Sequence, residues 1–480
     1  MKNVMNSIWN LMKLSVFIFP LSVFVSCSQE EFLPQETTTL QFVVGDFPAF
    51  QNSSPESGAT RAAEEALNVL PCPKEGSTVP CATGARSVPQ AEGSVLTRAI
   101  GTQDEGKTAW ENGDQIIVTL ISQKYGEQAV ALTYNGSSWG TEASLSYLEN
   151  ETPSVGVFYA PCYEVTEEGT MQLKSGMQLG MTEYLSGNYE MESGIMTITF
   201  EGAIRTYSRL RIAGLANQTL TVTTTDFTPA GATEVATAAY TLTTDNNGNA
   251  FLYGVFAEDA TVSVKQGDVI LKDYTFTADK NPGGSEHNKS YALDARPVID
   301  GTLGGKTTVT KEEVNALVEQ LKEYVDNGIT TIIVPGTEYA MYKSNLGTIP
   351  AFAEALYLLT DLNEDSPYCG TIDLILPDAT EIIDFSFDSA DALKSITLPK
   401  VTTVGDGAFY GCYYLQTITF GSVVTAINHN TKAEFHWVGK KVEGCDLVLN
   451  REQVNAEADY QPNIETRTWW NTEWKSITLK

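Results

Sequence analysis

The feature that most constrains this chain is a segment near its C-terminal end that repeats with a period of 22 residues. The stretch KSITLPKVTTVGDGAFYGCYYL (394–415) aligns with IDLILPDATEIIDFSFDSADAL (372–393) and with QTITFGSVVTAI (416–427). Weaker copies follow the same pattern, namely TTIIVP (330–335), DLVLN (446–450) and KSITLK (475–480). Each copy is too short to bury its own apolar side chains, so the copies must stack into a solenoid.

Each repeat is expected to place one short strand on the solenoid and then a turn that points into its interior. The alternation in the strand predicts that Ile396 and Leu398 face inward, and the turn predicts the same for Phe409, Cys412 and Leu415. The interior of the solenoid should therefore be a continuous column of apolar side chains.

A helix is predicted immediately before the repeats, in TKEEVNALVEQLKEYVDNG (310–328). Thr310 is the expected N-cap, Glu313 completes a capping box, and Gly328 ends the helix. The residues that share its apolar face are Val314, Leu317, Val318, Leu321 and Val325. We therefore assign residues 298–480 to one domain, in which one or two helices precede the repeats.

The middle of the chain, residues 99–297, is dominated by strand patterns such as DQIIVTLIS, IMTITFEG and AYTLTTDNNGNAFLYGVF. Runs rich in Thr, Val, Tyr and Ile, separated by NG and GD turns, are typical of antiparallel β-sandwiches. About 200 residues is large for one sandwich, so we expect two domains. The predicted division is 99–192 and 193–297.

The N-terminus carries an export signal. Lys2 and Lys13 precede the apolar run LSVFIFPLSVFVS, which leads to Cys27. A run this short and this early in the chain predicts a signal peptide over 1–26. Ser26 before Cys27 resembles a bacterial lipobox, which implies that the Cys27 thiol receives a lipid; ordinary secretion with an accidental cysteine is the alternative. The acidic SQEEF that follows resembles the export signal of surface lipoproteins of Bacteroidota. That resemblance implies a lipid-anchored, surface-exposed protein of the outer membrane that touches the membrane through its lipid alone.

Residues 27–98 are predicted to form the anchor region, a first strand and a linker. The alternation in TTTLQFVVGDF (37–47) indicates a strand, whereas the stretch that follows is rich in Ser, Pro, Gly, Ala and Glu and has little capacity to pack. Cys72 and Cys81 flank a short loop in this linker and are a candidate disulfide in an exported chain.

The charge and the functional residue types argue against several classes of function. With 60 Asp and Glu against 30 Lys and Arg, the net charge of -30 repels phosphate backbones, so nucleic acid is not an expected partner. The 3 histidines have no cysteines or carboxylates at metal-ligand spacing, and we expect neither a metal nor another cofactor. Ser138 in GSSWG fits a nucleophile pattern, but Asn135-Gly136 predicts a hairpin turn there instead. We expect no enzymatic activity.

Residues 37–297 resemble the fimbrillin-like proteins of Bacteroidota. The resemblance rests on WENGDQIIV (110–118), Trp139 after a Tyr-Asn-Gly turn, FYAPCY (158–163) and a TRA sequence just upstream. It implies two transthyretin-like Greek-key β-sandwiches in a surface or pilus subunit. It also implies that an Arg-specific protease removes the first strand at Arg61 or Arg98, after which a strand from another fimbrial subunit fills the groove. The alternative is that both arginines are plain linker residues.

The stretch GDGAFYGCYYLQTITF (405–420) resembles BspA-type leucine-rich repeats, and the resemblance extends over 329–480 with a poor fit at 428–474. It implies a mainly β protein in which the two sandwiches precede a short leucine-rich solenoid. Such repeats are common in bacterial surface adhesins, so the resemblance implies an adhesive function. The target would be a protein or a glycan on a host or bacterial surface. The protein would act either as a fimbrial tip or accessory subunit or as a free-standing adhesin. The alternative function is a surface glycan-binding lipoprotein for nutrient capture.

Exposed aromatic side chains are the candidate ligand-contact residues of the solenoid, because aromatic rings stack on sugars and anchor protein interfaces. The candidates are Tyr410, Tyr413, Tyr414, Trp469, Trp470 and Trp474. For the tryptophans the favoured alternative is that they cap the open end of the solenoid, and for the tyrosines the alternative is packing within it.

Overall fold

The computed structural model describes residues 37–47, 97–98, 107, 109–148, 150–200, 205–345, 347–361, 363–427 and 435–480. The predicted signal peptide, the predicted lipidation site Cys27, the candidate cleavage site Arg61 and the candidate disulfide between Cys72 and Cys81 lie outside these residues. Within them the fold is mainly β with two α-helices, as predicted.

The first domain is built mainly from antiparallel strands around an aromatic core, with one parallel pair. The strands up to residue 199 are β1 (Thr37–Thr39), β2 (Gln41–Val44), β3 (Thr97–Arg98), β4 (Gln115–Ser122), β5 (Gly126–Tyr134), β6 (Trp139–Gly140), β7 (Ser146–Leu148), β8 (Ser154–Tyr159), β9 (Tyr163–Val165), β10 (Met171–Leu173), β11 (Leu185–Ser186), β12 (Asn188–Glu192) and β13 (Ile195–Thr199). All of them belong to the first domain except β3, which belongs to the second. Five of them form one sheet in the order β11-β8-β4-β5-β6, and a second sheet has the order β12-β13-β2. Asn135 and Ser138 close the turn between β5 and β6, so GSSWG is a hairpin turn.

Trp110 is partly buried and packs against this first core. Its ring is in edge contact with the rings of Phe47, Trp139 and Tyr159, at centroid distances of 4.8, 4.9 and 5.4 Å. Its indole nitrogen also donates a hydrogen bond to the carbonyl of Gly45 at 2.8 Å. The predicted first strand is thus packed into the domain, although Leu40 divides it between two sheets: β1 pairs with β7, whereas β2 pairs with β13.

The predicted domain boundary between residues 192 and 193 is wrong. Strands β12 and β13 form a single hairpin across it, with Glu192 paired to Ile195. Met196, Ile198 and Phe200 are fully buried in the first core, because alternate residues of β13 face that core. The first domain therefore continues at least to Phe200.

The second domain is one eight-stranded sheet that bends around its own core. Its strands, besides β3, are β14 (Ser208–Ala213), β15 (Thr219–Pro229), β16 (Ala236–Thr243), β17 (Asn249–Phe256), β18 (Thr261–Gln266), β19 (Val269–Thr275) and β20 (Ser290–Asp294). The bend is in β15, which pairs with β18 before Asp226 and with β17 after it. Asp226 has a φ of +49° at the register shift. Strand β3, which contains Arg98, is the edge strand beside β20.

The second domain is joined to the solenoid by backbone and side-chain contacts. The amide of Ile299 donates to the carbonyl of Ile333, so the connecting segment extends the solenoid sheet. The amide of Asp268, in the turn between β18 and β19, donates to the side chain of Asn327 at 2.8 Å. Val269 is buried in the solenoid core.

The solenoid begins with the predicted helix, α1 (Lys311–Asp326). Both hydrogen bonds of its capping box are present, between Thr310 and Glu313. The predicted face is buried except for the half-buried Val325, and Gly328 follows with a φ of +74°. A second helix, α2 (Ala351–Thr360), packs against α1.

The repeats form a six-stranded parallel sheet. The strands of the solenoid are β21 (Thr331–Ile333), β22 (Met341–Lys343), β23 (Thr348–Pro350), β24 (Ile372–Ile375), β25 (Glu381–Ile382), β26 (Leu393–Leu398), β27 (Thr403–Val404), β28 (Thr417–Phe420), β29 (Ala426–Ile427), β30 (Asp446–Leu449), β31 (Thr468–Trp469), β32 (Thr472–Glu473) and β33 (Ser476–Leu479). The order of the large sheet is β21-β24-β26-β28-β30-β33, and β25-β27-β29 form a second parallel sheet. Two 3₁₀ turns, Arg451–Asn455 and Ala458–Tyr460, lie between β30 and β31.

All three weaker copies predicted from the sequence are strands of this sheet, namely β21, β30 and β33. The inward residues that align across it are Leu374, Ile396, Ile418, Leu447 and Ile477, so successive spacings are 22, 22, 29 and 30 residues. The poor fit at 428–474 thus reflects longer coils that keep the same strand position.

The predicted apolar column is present in the interior. Phe409, Cys412 and Leu415 are fully buried. The rings of Phe387, Phe409 and Phe435 stack along the column at centroid distances of 5.6 and 5.7 Å. The spacing of these three residues identifies equivalent positions in consecutive coils.

Candidate functional site

One position of each coil has a left-handed backbone, two residues after the stacked phenylalanine. The residues at this position are Ser389, Gly411 and Trp437, with φ values of +59°, +69° and +67°. Glycine adopts this conformation without strain, whereas a residue with a Cβ pays roughly 1–2 kcal/mol. Trp437 therefore has a backbone conformation that favours glycine, and 38% of its surface is exposed. Strain of this kind points to a role for the side chain.

Trp437 belongs to a cluster of four rings that we call the aromatic ridge, consisting of Tyr410, Tyr413, His436 and Trp437. The Tyr413 and Trp437 rings are nearly parallel, with an interplanar angle of 19° and centroids 6.0 Å apart. Tyr410 contacts Trp437 at 5.2 Å and stacks on His436 at 5.8 Å. His436 and Trp437 are exposed and both tyrosines are half-buried.

The backbone explains why the ridge forms. The amide of Gly411 donates to the carbonyl of His436 at 2.9 Å, and the amide of Lys441 donates to the carbonyl of Tyr413 at 2.9 Å. These bonds join the turns of two consecutive coils, so side chains that are 26 residues apart in the sequence become neighbours. The ridge is consequently a product of the stacking.

Charged groups surround the ridge. The Lys440 ammonium lies 5.2 Å from the centroid of the Trp437 ring, in cation–π geometry. Lys441 forms an ion pair with Glu364 at 2.7 Å. The carboxylate of Asp391 is 3% exposed and accepts a hydrogen bond from the amide of Tyr413 at 3.1 Å. Burial raises the pKa of Asp391 to about 6, the amide of Tyr413 opposes that rise and the nearby charge of Glu364 adds to it.

The predicted candidates divide between surface and core. Tyr410 and Tyr413 lie in the ridge. Tyr414 is half-buried beside it and donates its hydroxyl to the carbonyl of Glu364 at 3.0 Å. These three tyrosines come from one turn of the repeat.

The assignment of Trp469 and Trp474 as ligand-contact residues is wrong, because they are 1% and 2% exposed. Both rings contact Phe435, at 5.6 and 5.3 Å, and so extend the aromatic column of the core. Trp470 is half-buried and stacks on Tyr460 at 5.3 Å with an interplanar angle of 1°. The tryptophan cluster therefore belongs to the end of the solenoid interior, which was the favoured alternative.

Sequence reasoning missed His436 and Trp437. The signal was present in FHW (435–437), because Phe435 is the next phenylalanine after Phe409. An alignment held strictly to the 22-residue period skips it, since Phe435 follows Phe409 by 26 residues. Aligning the phenylalanines instead would have placed Trp437 opposite Gly411.

Two cysteine thiols of the described residues are buried in the solenoid core. Burial raises the pKa of the Cys412 and Cys445 thiols, which keeps them protonated and unreactive. No group of three or more His, Cys, Asp or Glu residues among the described positions could hold a metal ion. No helix in those ranges is long and apolar enough to cross a membrane.

Comparison with known proteins supports the repeat assignment. Residues 368–434 match the family model described as BspA type Leucine rich repeat region, 6 copies, so the leucine-rich repeats predicted from GDGAFYGCYYLQTITF are confirmed for this region. No curated protein matches the sequence.

One crystal structure, of a candidate cell adhesion protein from Bacteroides fragilis, is 11% identical, covers 53% of this chain and 92% of its own, and superposes with a TM-score of 0.24. A TM-score this low supports no inference about the present protein.

Proposed function

We propose that this protein is a non-enzymatic, lipid-anchored adhesin of the bacterial surface, in which the leucine-rich solenoid makes the adhesive contact through the aromatic ridge. The observation that carries the proposal is Trp437, an exposed tryptophan held in a left-handed conformation. Tryptophan and tyrosine supply most of the binding energy at protein recognition surfaces, because they bury a large area and lose little side-chain entropy.

The position of the solenoid within the chain supports the same proposal. The predicted anchor Cys27 lies near one end of the sequence and the solenoid near the other, with two β domains between them. The contacts of Asp268 with Asn327 and of Ile299 with Ile333 join the solenoid to the second domain. We infer that the β domains hold the ridge away from the membrane.

Adhesion of cells that express the full chain tests the proposal. Trp437→Gly should lower attachment to host epithelial cells and to other bacteria about tenfold, the effect of losing about 1.4 kcal/mol of contact energy. The matched control is Tyr125→Ala, because Tyr125 is 37% exposed, lies under the Lys124 ammonium at 4.9 Å and belongs to the first domain. Equal attachment by both variants would refute the role of the ridge.

Surface exposure requires its own measurement. Brief protease treatment of intact cells should release peptides from 330–480 first, and Cys27→Ser should move the protein from the membrane fraction to the soluble fraction. Release of those peptides only after lysis would contradict the surface location.

A finer proposal is that the protein is a fimbrillin-like subunit that assembles by strand exchange. The observation that favours it is β2, a four-residue edge strand whose neighbours Leu40 and Phe47 are buried in the first core. Removal of 37–47 would uncover that core and the edge of β13, and a donor strand could cover both. Arg98 lies in a two-residue edge strand. Few backbone hydrogen bonds must therefore break before this segment can enter the active site of a protease.

Mass spectrometry of the mature protein tests this finer proposal. Cleavage after Arg98 or Arg61 should yield a chain that lacks the first strand, and Arg98→Ala together with Arg61→Ala should prevent both cleavage and polymer formation. An intact chain that begins at Cys27 in purified polymers would refute strand removal.

A further inference from the structure

The described charged groups beside the aromatic ridge are of both signs, and one pair is matched within the protein. Lys441 is paired with Glu364, and Lys440 lies over the indole of Trp437. The carboxylates of Asp388 and Asp391 are only 5% and 3% exposed. In a chain with a net charge of -30, the overall field repels polyanions, and these two buried carboxylates offer little surface to a polycation.

The remaining chemistry of the ridge suits a sugar. A pyranose ring has an apolar C–H face that packs on an aromatic ring and a rim of hydroxyls that exchange hydrogen bonds. Trp437, which is 38% exposed, provides accessible aromatic surface. The imidazole of His436, the phenols of Tyr410 and Tyr413 and the Lys440 ammonium provide donors and acceptors around it.

The length of the ridge indicates a polymer. Tyr410 and Tyr413 belong to one coil, whereas His436 and Trp437 belong to the next, so the rings extend along the stacking direction of the solenoid. A surface of this kind can contact more than one sugar ring of a chain. Neither the cavity beside Tyr159 nor the one beside Phe352 is lined by a residue of the ridge.

We propose that the aromatic ridge binds an uncharged polysaccharide, with one sugar ring packed on Trp437. This inference rests on the adhesive role proposed above and names its ligand class. Affinity comes from ring stacking and hydrogen bonds, and for that reason it is insensitive to ionic strength.

The test is calorimetric titration of the full chain with a soluble neutral glucan, a mannan and a xylan, each beside its carboxylated derivative. At least one neutral polymer should bind, its affinity should change less than about twofold between 50 and 500 mM NaCl, and its derivative should bind more weakly. Trp437→Gly should weaken binding about tenfold or more, whereas Tyr125→Ala should leave it unchanged.

Several results would overturn the inference. Preference for the carboxylated derivatives, or a steep dependence on salt, would show that charge drives recognition. Unchanged affinity in Trp437→Gly would place the glycan elsewhere. If no neutral polymer binds while Trp437→Gly still lowers cell adhesion, the ligand is a protein: the glycan assignment is then wrong and the adhesive role stands. If binding is confirmed and adhesion is unaffected by Trp437→Gly, the adhesive role is wrong and the glycan site stands.

Discussion

Replacement of Trp437 by glycine should remove the ridge while leaving the solenoid almost as stable as before. The ring loses its stack on Tyr413, worth about 0.5–1.5 kcal/mol, and its contact with Lys440, worth about 0.5–1 kcal/mol at an exposed site. The added freedom of glycine in the unfolded chain costs about 0.4–1 kcal/mol more. Relief of the left-handed strain at a φ of +67° returns about 1–2 kcal/mol. The net destabilisation should be about 1 kcal/mol.

Alanine at the same position separates strain from contact. Trp437→Ala removes the same ring but keeps a Cβ in the left-handed region, so it should be less stable than Trp437→Gly by about 0.5–1 kcal/mol. Both variants should lose binding equally, because neither has a ring. Gly411, which occupies the equivalent position of the preceding coil with a φ of +69°, shows that the fold accepts glycine here.

Hydrogen exchange measured by mass spectrometry is the suitable assay, because a chain with several domains does not unfold in one transition. Peptides that cover β26 and β28 report the opening of the solenoid alone. Loss of more than about 3 kcal/mol of protection in Trp437→Gly would approach the cost of deleting a core phenylalanine. That result would show that Trp437 is structural and would refute its assignment to a binding surface.

Three further predictions concern the core and its charges. Phe409→Ala should cost about 3–5 kcal/mol of solenoid stability, measured by the same exchange experiment, because it opens a cavity within a fully buried aromatic stack; a cost below 1 kcal/mol would contradict the stack. Asp391→Asn should stabilise the solenoid above pH 6 and have no effect near pH 3. The pKa of Asp391 in the folded protein, about 6, lies above the ordinary value of 3.8, so ionisation of this carboxyl lowers the stability of the folded state as the pH rises from about 4 to above 6. The loss is at most about 3 kcal/mol. A variant that is stabilised equally at both pH values would refute this. Glu183→Ala should cost about 3–5 kcal/mol of stability in the β domains, measured by exchange, because it leaves the buried Arg205 guanidinium without the carboxylate that it contacts at 3.0 Å; exchange rates equal to those of the parent protein would contradict it.

Patterns that are local in the sequence predicted the structure well. Thr310 and Glu313 are three residues apart and satisfy each other's backbone groups, so the start of α1 could be read from the sequence directly. The repeat predicted that Ile396 and Ile418 would align, because stacking equivalent residues is the way a short repeat buries its apolar face.

Patterns that depend on distant partners misled the prediction. The predicted division between residues 192 and 193 is wrong because the hairpin of β12 and β13 carries Met196 and Ile198 back into the first core. Trp469 and Trp474 stand beside polar residues in the sequence, yet their rings cover Phe435 in the interior. Burial of an aromatic ring is decided by what packs on it, and that information is absent from its neighbours in the chain.

The sequence by itself determined that the chain ends in a stacked solenoid with a capped helix before it, because period, capping and alternation act over a few residues. It also determined a strongly negative protein, since charge is a sum over the chain. Only the tertiary structure decided which aromatic residues form a surface. Coils of unequal length bring Tyr410 and Tyr413 beside Trp437, and the backbone conformation that strains Trp437 exists only once those coils have stacked.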